Sequence, residues 1–299
     1  MSGSKADAGW LQLRAPYDGA ASDGREAGAL ASAFGAALRR RRERGPLRLL
    51  DLGGGTGANV CRLAPRLFGS QTWRVVDSDA VLLAQVEDTV VAWARRIGGK
   101  TKSVPGGVSV TTPQRIVTVT GLAYDLCDGL TGLPLAQTDG VTGAALLDRA
   151  SAASLNAAVT SLADHQVSAL FTLNVNGDIR WRPGQADDAD VARAFLRDLG
   201  RGKGFVTALG QRAAAMAFEA RGYAVRTTRA DWRLRGGDAE MHRALLSLIA
   251  LGARGQPPTS ADPGDWERRI EAWVSAKLAE IRAGSLELTI GHTDMLAIM

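Results

Sequence analysis

Residues Leu47-Arg-Leu-Leu-Asp-Leu-Gly-Gly-Gly-Thr-Gly-Ala-Asn59 decide the fold. Leu47, Leu49, Leu50 and Leu52 make the short apolar run of a strand buried on both faces. Gly53, Gly54, Gly55 and Gly57 follow at once. Glycine accepts positive φ and lets backbone approach a ligand with no Cβ in the way. A helix over about 60–67 comes next, capped by Thr56 or Asn59, with Pro65 limiting its regularity. Strand, glycine turn and helix in this order present free backbone N–H groups at the carboxyl end of a parallel sheet. That is the usual cradle of a nucleotide-like cofactor.

Further strands follow at regular intervals. Thr72-Trp-Arg-Val-Val-Asp77-Ser-Asp79 reads as a second strand ending in an acid. Asp77 lies 20 positions beyond Gly57, the spacing at which a carboxylate at the second strand's tip reaches ribose hydroxyls. Asp79 caps a helix over about 80–97. Residues 99–114 read as a loop or irregular ribbon, and 115–120 as a third strand leading to Asp125, Leu126 and Asp128. A fourth strand starts at Gly140 and exits at Asp148, and Ser151 caps the next helix. The fifth strand, 167–174, continues to Trp181 through Asn176-Gly177, a pair that favours a hairpin turn. Helices over about 189–199 and 211–220 precede a sixth strand over 223–232. Two more helices, about 239–252 and 265–282, lead to a last strand, 286–298, in which Leu286, Leu288 and Ile290 alternate.

The order apolar-apolar-Asp51-Leu-Gly53-x-Gly55-x-Gly57 resembles the first motif of the class I S-adenosylmethionine-dependent methyltransferases. The resemblance covers roughly residues 46–232 and the last strand. It implies an α/β fold, Rossmann-like, with a seven-stranded, mostly parallel sheet, an antiparallel last strand inside it and helices on both faces. It implies S-adenosyl-L-methionine as cofactor, with Gly53, Gly55 and Gly57 against its methionine part and ribose and Asp51 fixing its amino group. It puts Asp77, with Ser78 beside it, at the ribose, and Asp125 and Leu126 at the adenine, with Asp128 as the alternative acid. Residues 1–45 correspond to a helical lid, on which Arg14 and Tyr17 either touch the cofactor or dock the terminus. Residues 46–299 then form the catalytic domain, with helical cap segments at about 183–210 and 236–284 that select the substrate. A carboxylate suits an ammonium and repels a pyrophosphate. The looser pattern Gly53-x-Gly55-x-x-Ala58 nevertheless keeps a dinucleotide-binding, NAD(P)-dependent oxidoreductase as the alternative.

Composition bounds the rest. The chain has 299 residues, 45% of them hydrophobic, which suits one large α/β domain with insertions. Cys61 and Cys127 stand alone, so neither a disulfide framework nor a Cys-x-x-Cys metal site is expected. No apolar run approaches the ~20 residues of a membrane span, and the first residues lack the apolar core of a secretory signal. A cytoplasmic protein is expected. The net charge of +5 owes much to Arg39-Arg-Arg-Arg-Glu-Arg44. That run reads as a helix end complementing the dipole rather than a nucleic-acid patch, because basic and aromatic residues do not interleave.

Methyl transfer from a sulfonium needs alignment more than a dedicated catalytic group. The expected acceptor is an oxygen or nitrogen atom of a small molecule. An Asp/Asn-Pro-Pro-Tyr/Phe signature is absent after the fourth strand, and no cysteine follows a proline, so DNA-base methylation is disfavoured. No His-x-x-x-His spacing occurs, and Asp187-Asp188 alone makes no metal site. Asp148, at the exit of the fourth strand, and His292, on the last strand, are the candidate proton acceptors. Lys203 either lines the acceptor's entrance or is solvated. A non-catalytic cofactor-binding module remains a second alternative.

Overall fold

The computed structural model describes residues 8–200, 208–259 and 262–299. Lys203 and the side chain of Asp128 lie outside what it describes.

Ten strands among the described residues form one sheet: β1 (Leu47–Leu52), β2 (Gln71–Asp77), β3 (Lys100–Val104), β4 (Gly107–Thr111), β5 (Ile116–Ala123), β6 (Gly140–Ala144), β7 (Ser168–Arg182), β8 (Ala224–Arg229), β9 (Trp232–Leu234) and β10 (Glu287–Ile298). Their order is β3-β4-β5-β2-β1-β6-β7-β10-β8, with β9 beside β10. The core β5-β2-β1-β6-β7 is parallel, and β10 runs antiparallel between β7 and β8. This strand order, reversing at β1 and β6 and closed by an inserted antiparallel strand, is the Rossmann-like fold of the class I methyltransferases. The expected seven strands form its core, and the antiparallel hairpin β3–β4 and the short β9 extend it.

The helices are α1 (Ala8–Ser22), α2 (Arg25–Arg41), α3 (Ala58–Leu63), α4 (Ala80–Leu83), α5 (Val86–Arg96), α6 (Ala152–Asp164), α7 (Asp188–Leu199), α8 (Ala208–Glu219), α9 (Ala239–Arg254) and α10 (Pro263–Ala283). Alternation along β1 assigns its two faces. Leu47 and Leu49 pack in one core with Phe34 and Leu38 of α2, Trp73 and Val90. Leu50 and Leu52 pack in the opposite core with Leu155, Val159 and Phe218. Asp51 shares the side of Leu47 and Leu49, which sets it beneath α3. A third core joins α7, α9 and α10 through Trp181, Trp266, Trp273 and Met241 to the first half of β10. Close approach of α2 depends on Gly140, where a Cβ would lie 2.7 Å from Phe34 Cζ.

Several elements differ from the sequence reading. Residues 10–18, which carry no helix start signal, form most of α1. Neither Thr56 nor Asn59 caps α3; the N-cap is Gly57 in the left-handed region. The helix expected over 80–97 divides at Ala84–Gln85 into α4 and α5. Asn176-Gly177 makes no hairpin. Residues 176–178 bulge against the single residue Gly291, with Gly177 at φ 88°, and β7 runs on to Arg182. Asn176 Oδ1 accepts from Asp178 N at 3.1 Å, an Asx turn inside the bulge. The same irregularity divides the sixth strand. β8 pairs with residues 293–298 of β10 and β9 with residues 288–290.

The arginine run is used for packing at the amino end of the sheet. Arg39 donates to the carbonyls of Phe68 (2.9 Å) and Gly45 (3.0 Å), Arg42 to that of Pro46 (2.8 Å), and Arg41 to those of Gln166 and His165. These guanidiniums satisfy loop carbonyls at the edge opposite the glycine turn.

Candidate cofactor site

Gly53, Gly55 and Gly57 all take positive φ (63°, 52° and 80°), so the chain turns sharply out of β1 into α3. A Cβ at Gly55 would meet only Leu11 Cδ1 of α1 (3.5 Å) and Leu82 Cδ1 (3.7 Å). Helix α1 therefore lies over the turn.

Asp51 lies under it, fully buried. Both donors that reach it, Asn59 Nδ2 at 2.5 Å and Thr142 Oγ1 at 2.6 Å, bond the same oxygen, Oδ1. Oδ2 is buried without a hydrogen-bond partner. Burial pushes the carboxyl above its ordinary pKa against the opposing effects of Thr142, Asn59 and Arg62. The turn thus overlies a buried carboxyl with one unused acceptor oxygen, which suits the amino group of an amino-acid-bearing cofactor.

Asp77 ends β2 beside it. Its Oδ2 accepts from Gly55 N at 2.9 Å and its Oδ1 from Asp79 N at 2.9 Å. Each oxygen keeps a further lone pair, so the carboxylate pins the turn and can still accept hydroxyls. Ser78 is exposed between the two acids, and Asp79 caps α4 through Val81 N (2.9 Å) and Leu82 N (3.4 Å). Tyr124 N bonds Asp77 O at 3.0 Å, which sets Asp125 at the neighbouring strand tip. Asp125 is exposed, and its Oδ1 accepts from Cys127 N at 2.9 Å, a bond that holds its carboxyl below the usual range. Leu126 beside it is half-buried. Asp51, the glycines, Asp77, Ser78, Asp125 and Leu126 therefore occupy one edge of the sheet.

Arg14 and Tyr17 serve α1 itself. Arg14 forks onto Asp18 (3.0 and 3.2 Å) and lies 5.0 Å from the centre of the Trp232 ring. Tyr17 donates to Asp238 Oδ1 at 2.9 Å. Burial, helped by that bond, pushes its hydroxyl up to about 12. Trp232 Nε1 donates to Asp18 at 3.1 Å, so β9 is the seat of α1.

Just past the last β6–β7 pair, Ala144 with Thr172, Ala145 (φ 52°) after β6 and Leu173 (φ 56°) within β7 are held in the left-handed region, which strains any residue with a side chain. Asp294 Oδ1 accepts from Leu173 N at 2.7 Å, and Asn174 Oδ1 accepts from Leu147 N at 3.0 Å. Asp148 is buried one residue further on. His292 is buried on β10, its Nδ1 3.0 Å from Ile290 O and its ring 4.7 Å from that of Trp232. Burial, with Arg14 nearby, lowers its pKa to about 3, so the imidazole is neutral. Asp148 thus lies in the turn past β6, and His292 lies on β10 beside Trp232.

The sequence reading does not single out Arg62 or Asp294, and it takes Asn59 only as a candidate helix cap. Arg62 bonds Thr172 Oγ1 (2.8 Å), Ser22 Oγ (2.6 Å) and Asn59 Oδ1, linking α3 to β7 and to the end of α1. Asn59 and Arg62 are three residues apart on one helical face, and that spacing of polar residues after the glycines was the available signal. An acid inside the apolar run of the last strand was the signal for Asp294. His242 of α9 is buried with neither ring nitrogen hydrogen-bonded, and burial lowers its pKa. Asp187 and Asp188 are engaged by Arg269, Trp273 and Lys277, and no metal-holding cluster of His, Cys, Asp or Glu occurs among the described residues. No helix among the described residues is long and apolar enough to cross a membrane.

No protein-family model and no curated protein matches the chain. Among solved structures it is similar to phosphoethanolamine N-methyltransferase 2 of Haemonchus contortus in complex with S-adenosyl-L-methionine. Identity there is 12% and the TM-score 0.40, over 89% of this chain and 52% of that one, so this chain spans about half its length. It is similar to the cyclopropane synthase MmaA2 of Mycobacterium tuberculosis (12% identity, TM-score 0.42, 89% and 82% covered). It is also similar to a SAM-dependent methyltransferase of Thiobacillus denitrificans in complex with S-adenosyl-L-homocysteine (15%, 0.41, 98% and 99%). The fold assignment rests on the strand order and register described above.

Proposed function

We propose that the chain is an S-adenosyl-L-methionine-dependent methyltransferase that moves a methyl group to an oxygen or nitrogen of a small-molecule acceptor. The observation that carries this reading is the buried Asp51 carboxylate, with its unpartnered Oδ2, under a glycine turn that Asp77 pins from the next strand. A carboxylate there favours an ammonium-bearing ligand and opposes the pyrophosphate of a nicotinamide dinucleotide.

In this reading Asp51 holds the cofactor's amino group and Asp77 accepts its ribose hydroxyls. Asp125 and Leu126 flank the adenine, and Leu11 closes over the turn. The bound cofactor supplies a sulfonium whose methyl is transferred by in-line displacement. The chain aligns the acceptor at the strained residues Ala145 and Leu173, where β6 ends beside β7, and excludes water with α1. In this reading Asp148 takes the acceptor's proton, and His292, whose basicity burial lowers, is the weaker alternative.

The test is incubation of purified protein with methyl-labelled cofactor and the small-molecule fraction of a cell extract, followed by mass spectrometry. Label in a new small molecule, lost with Asp77→Ala, supports the proposal. Binding of S-adenosylhomocysteine with no transfer to any pool supports the non-catalytic module instead, and label in RNA or protein contradicts the acceptor class.

A further inference from the structure

Arg74 stands in the middle of β2 between Trp73 and Val75, both fully buried, and is itself exposed. Arg48 interrupts the leucines of β1 in the same way. Arg48 and Leu50 are in register with Thr72 and Arg74 of the adjacent parallel strand, so these four side chains share one side of the sheet. Leu49 and Trp73 take the other side, in the core with α2. On the side of the arginines β5 reaches β6 through two 3-10 turns, Leu126–Asp128 and Leu135–Gln137, in place of an α-helix. The second turn leaves a cavity of about 60 Å³ over the amino halves of β1 and β2, lined by Arg48, Thr72, Arg74, Gln137 and Thr138.

The polar lining of this cavity is a set of donors. Arg74 makes no hydrogen bond or ion pair with any described residue, and Arg48 Nε has no hydrogen-bond partner. Thr138 already donates to Pro134 O at 2.9 Å, which leaves Thr72 and Gln137 as the neutral donors. Among the described residues no acid lines the cavity. Asp139 is ion-paired with Arg48, but its Oδ1 is 3.8 Å from Arg48 Nη2, beyond hydrogen-bond reach. Its Oδ2 accepts from Arg48 N at 2.7 Å and lies 3.5 Å from Arg42 Nε. One carboxylate is thus divided between two guanidiniums, and Arg74 has none. The Cα atoms of Arg48 and Arg74 are one strand spacing and two residues apart, about 8 Å. Two like charges at that separation repel each other until an anion sits between them.

We infer that this cavity binds a dianionic phosphate group, as inorganic phosphate or as a phosphomonoester, held by Arg48 and Arg74 with Thr72 and Gln137 donating beside them. Size and charge both fit. At about 10–15 Å³ for each water-sized sphere, the cavity has room for about four to six oxygens, one tetrahedral oxyanion. Two guanidiniums match the charge of about −2 of a phosphomonoester better than the single charge of a diester. No aromatic side chain lines the cavity among the described residues, so a base would find no ring to stack on. The site is separate from the cofactor edge. Arg48 lies five residues before Gly53, about 16 Å along the strand, and on the side of the sheet opposite Asp51.

Titration of the chain with inorganic phosphate at about pH 8, where the ion is dianionic, read by NMR on the arginine Nε–H signals, tests this. The probe carries neither adenosine nor amino acid, so the result is independent of the cofactor assignment. Saturable binding with a Kd in the millimolar range or below is expected in low salt. Methyl phosphate separates the two sources: equal binding shows that a substituent projects from the cavity, and much weaker binding shows a site for the free ion, and either supports the inference. Dimethyl phosphate, a monoanion, should bind roughly tenfold or more weakly than inorganic phosphate. Arg48→Gln and Arg74→Gln should each weaken phosphate binding roughly tenfold or more, and Arg74→Lys, which keeps the charge and loses the fork, should fall between. Far-UV circular dichroism establishes that each variant is folded. No saturable binding up to about 10 mM by the folded wild type overturns the inference. So does binding that both glutamine variants leave unchanged, or equal affinity for dimethyl phosphate.

Discussion

Asn59 donates to Asp51 at 2.5 Å, and its own carbonyl oxygen accepts from Arg62, so the acid beneath the glycine turn is tied to the end of α1 through two side chains. The chain of contacts runs from β1 to α3 and on to Ser22 at the end of α1. It joins the groups expected to meet the cofactor's amino acid to the helix expected to cover it.

Asp51→Asn separates binding from stability. Both donors reach Oδ1, so asparagine keeps an acceptor where it is needed and removes a charge that burial disfavours. The folded-state pKa is raised, so the contribution of Asp51 to stability is complete below its unfolded pKa and is lost as pH rises through the folded one. At neutral pH the variant should be more stable, by on the order of 1 kcal/mol, while losing about 1–3 kcal/mol of S-adenosylhomocysteine affinity. Thermal melts and calorimetry measure the two; a variant less stable and equally tight-binding contradicts both assignments.

Asp77→Ala removes the acceptor of Gly55 N and the expected acceptor of the ribose hydroxyls. Affinity for S-adenosylhomocysteine should fall by about 1–3 kcal/mol. Adenine should lose less, because it lacks the ribose. Equal losses for both ligands would show that Asp77 acts only by holding the turn.

Asp294 gives a pH signature. Burial raises its pKa from 3.8 to about 6, against the Leu173 N–H and Arg62, which lower it. The sign follows: the stabilising contribution is full below the unfolded value and disappears as pH rises from about 4 to 6. Relative to Asp294→Asn, the wild type should lose up to about 3 kcal/mol across that range. Denaturant titrations of both proteins from pH 4 to 7 check it. A constant difference would mean that Asp294 does not titrate there.

Tyr17→Phe deletes the bond to Asp238 while keeping the ring against Trp232, 6.4 Å away between centres. Docking of α1 should weaken by about 1 kcal/mol. Amide exchange should accelerate over residues 8–22 and not in β1. Uniform acceleration would place the effect on global stability.

The sheet core is legible in the sequence because its strands carry short apolar clusters bounded by glycines or acids, as Leu47, Leu49, Leu50 and Leu52 do in β1. The β3–β4 hairpin is not: β3 is almost wholly exposed and polar, with Lys100 and Lys102 on an edge strand, and nothing in such a run marks a buried face. The Asn176-Gly177 pair has the same local preference in a hairpin and in a bulge, and β10 decides between them by pairing on both sides of it. Asp77 is legible because its spacing from Gly57 follows from the length of one helix and one strand. Arg62 and Asp294 gain meaning only when α3 and β10 are brought together, which no local pattern encodes. Arg14 and Tyr17 stand out as aromatic and charged, yet it is the plain Leu11 on the same helix that reaches Gly55.

Isothermal titration of the purified chain with S-adenosylhomocysteine and, separately, with NAD decides most directly whether the acid-backed glycine turn holds an adenosyl amino acid. Binding of the first in the nanomolar to micromolar range, weakened by Asp51→Asn and Asp77→Ala, and none of the second, is the predicted result. Binding of NAD alone, or of neither ligand by a folded protein, would contradict it.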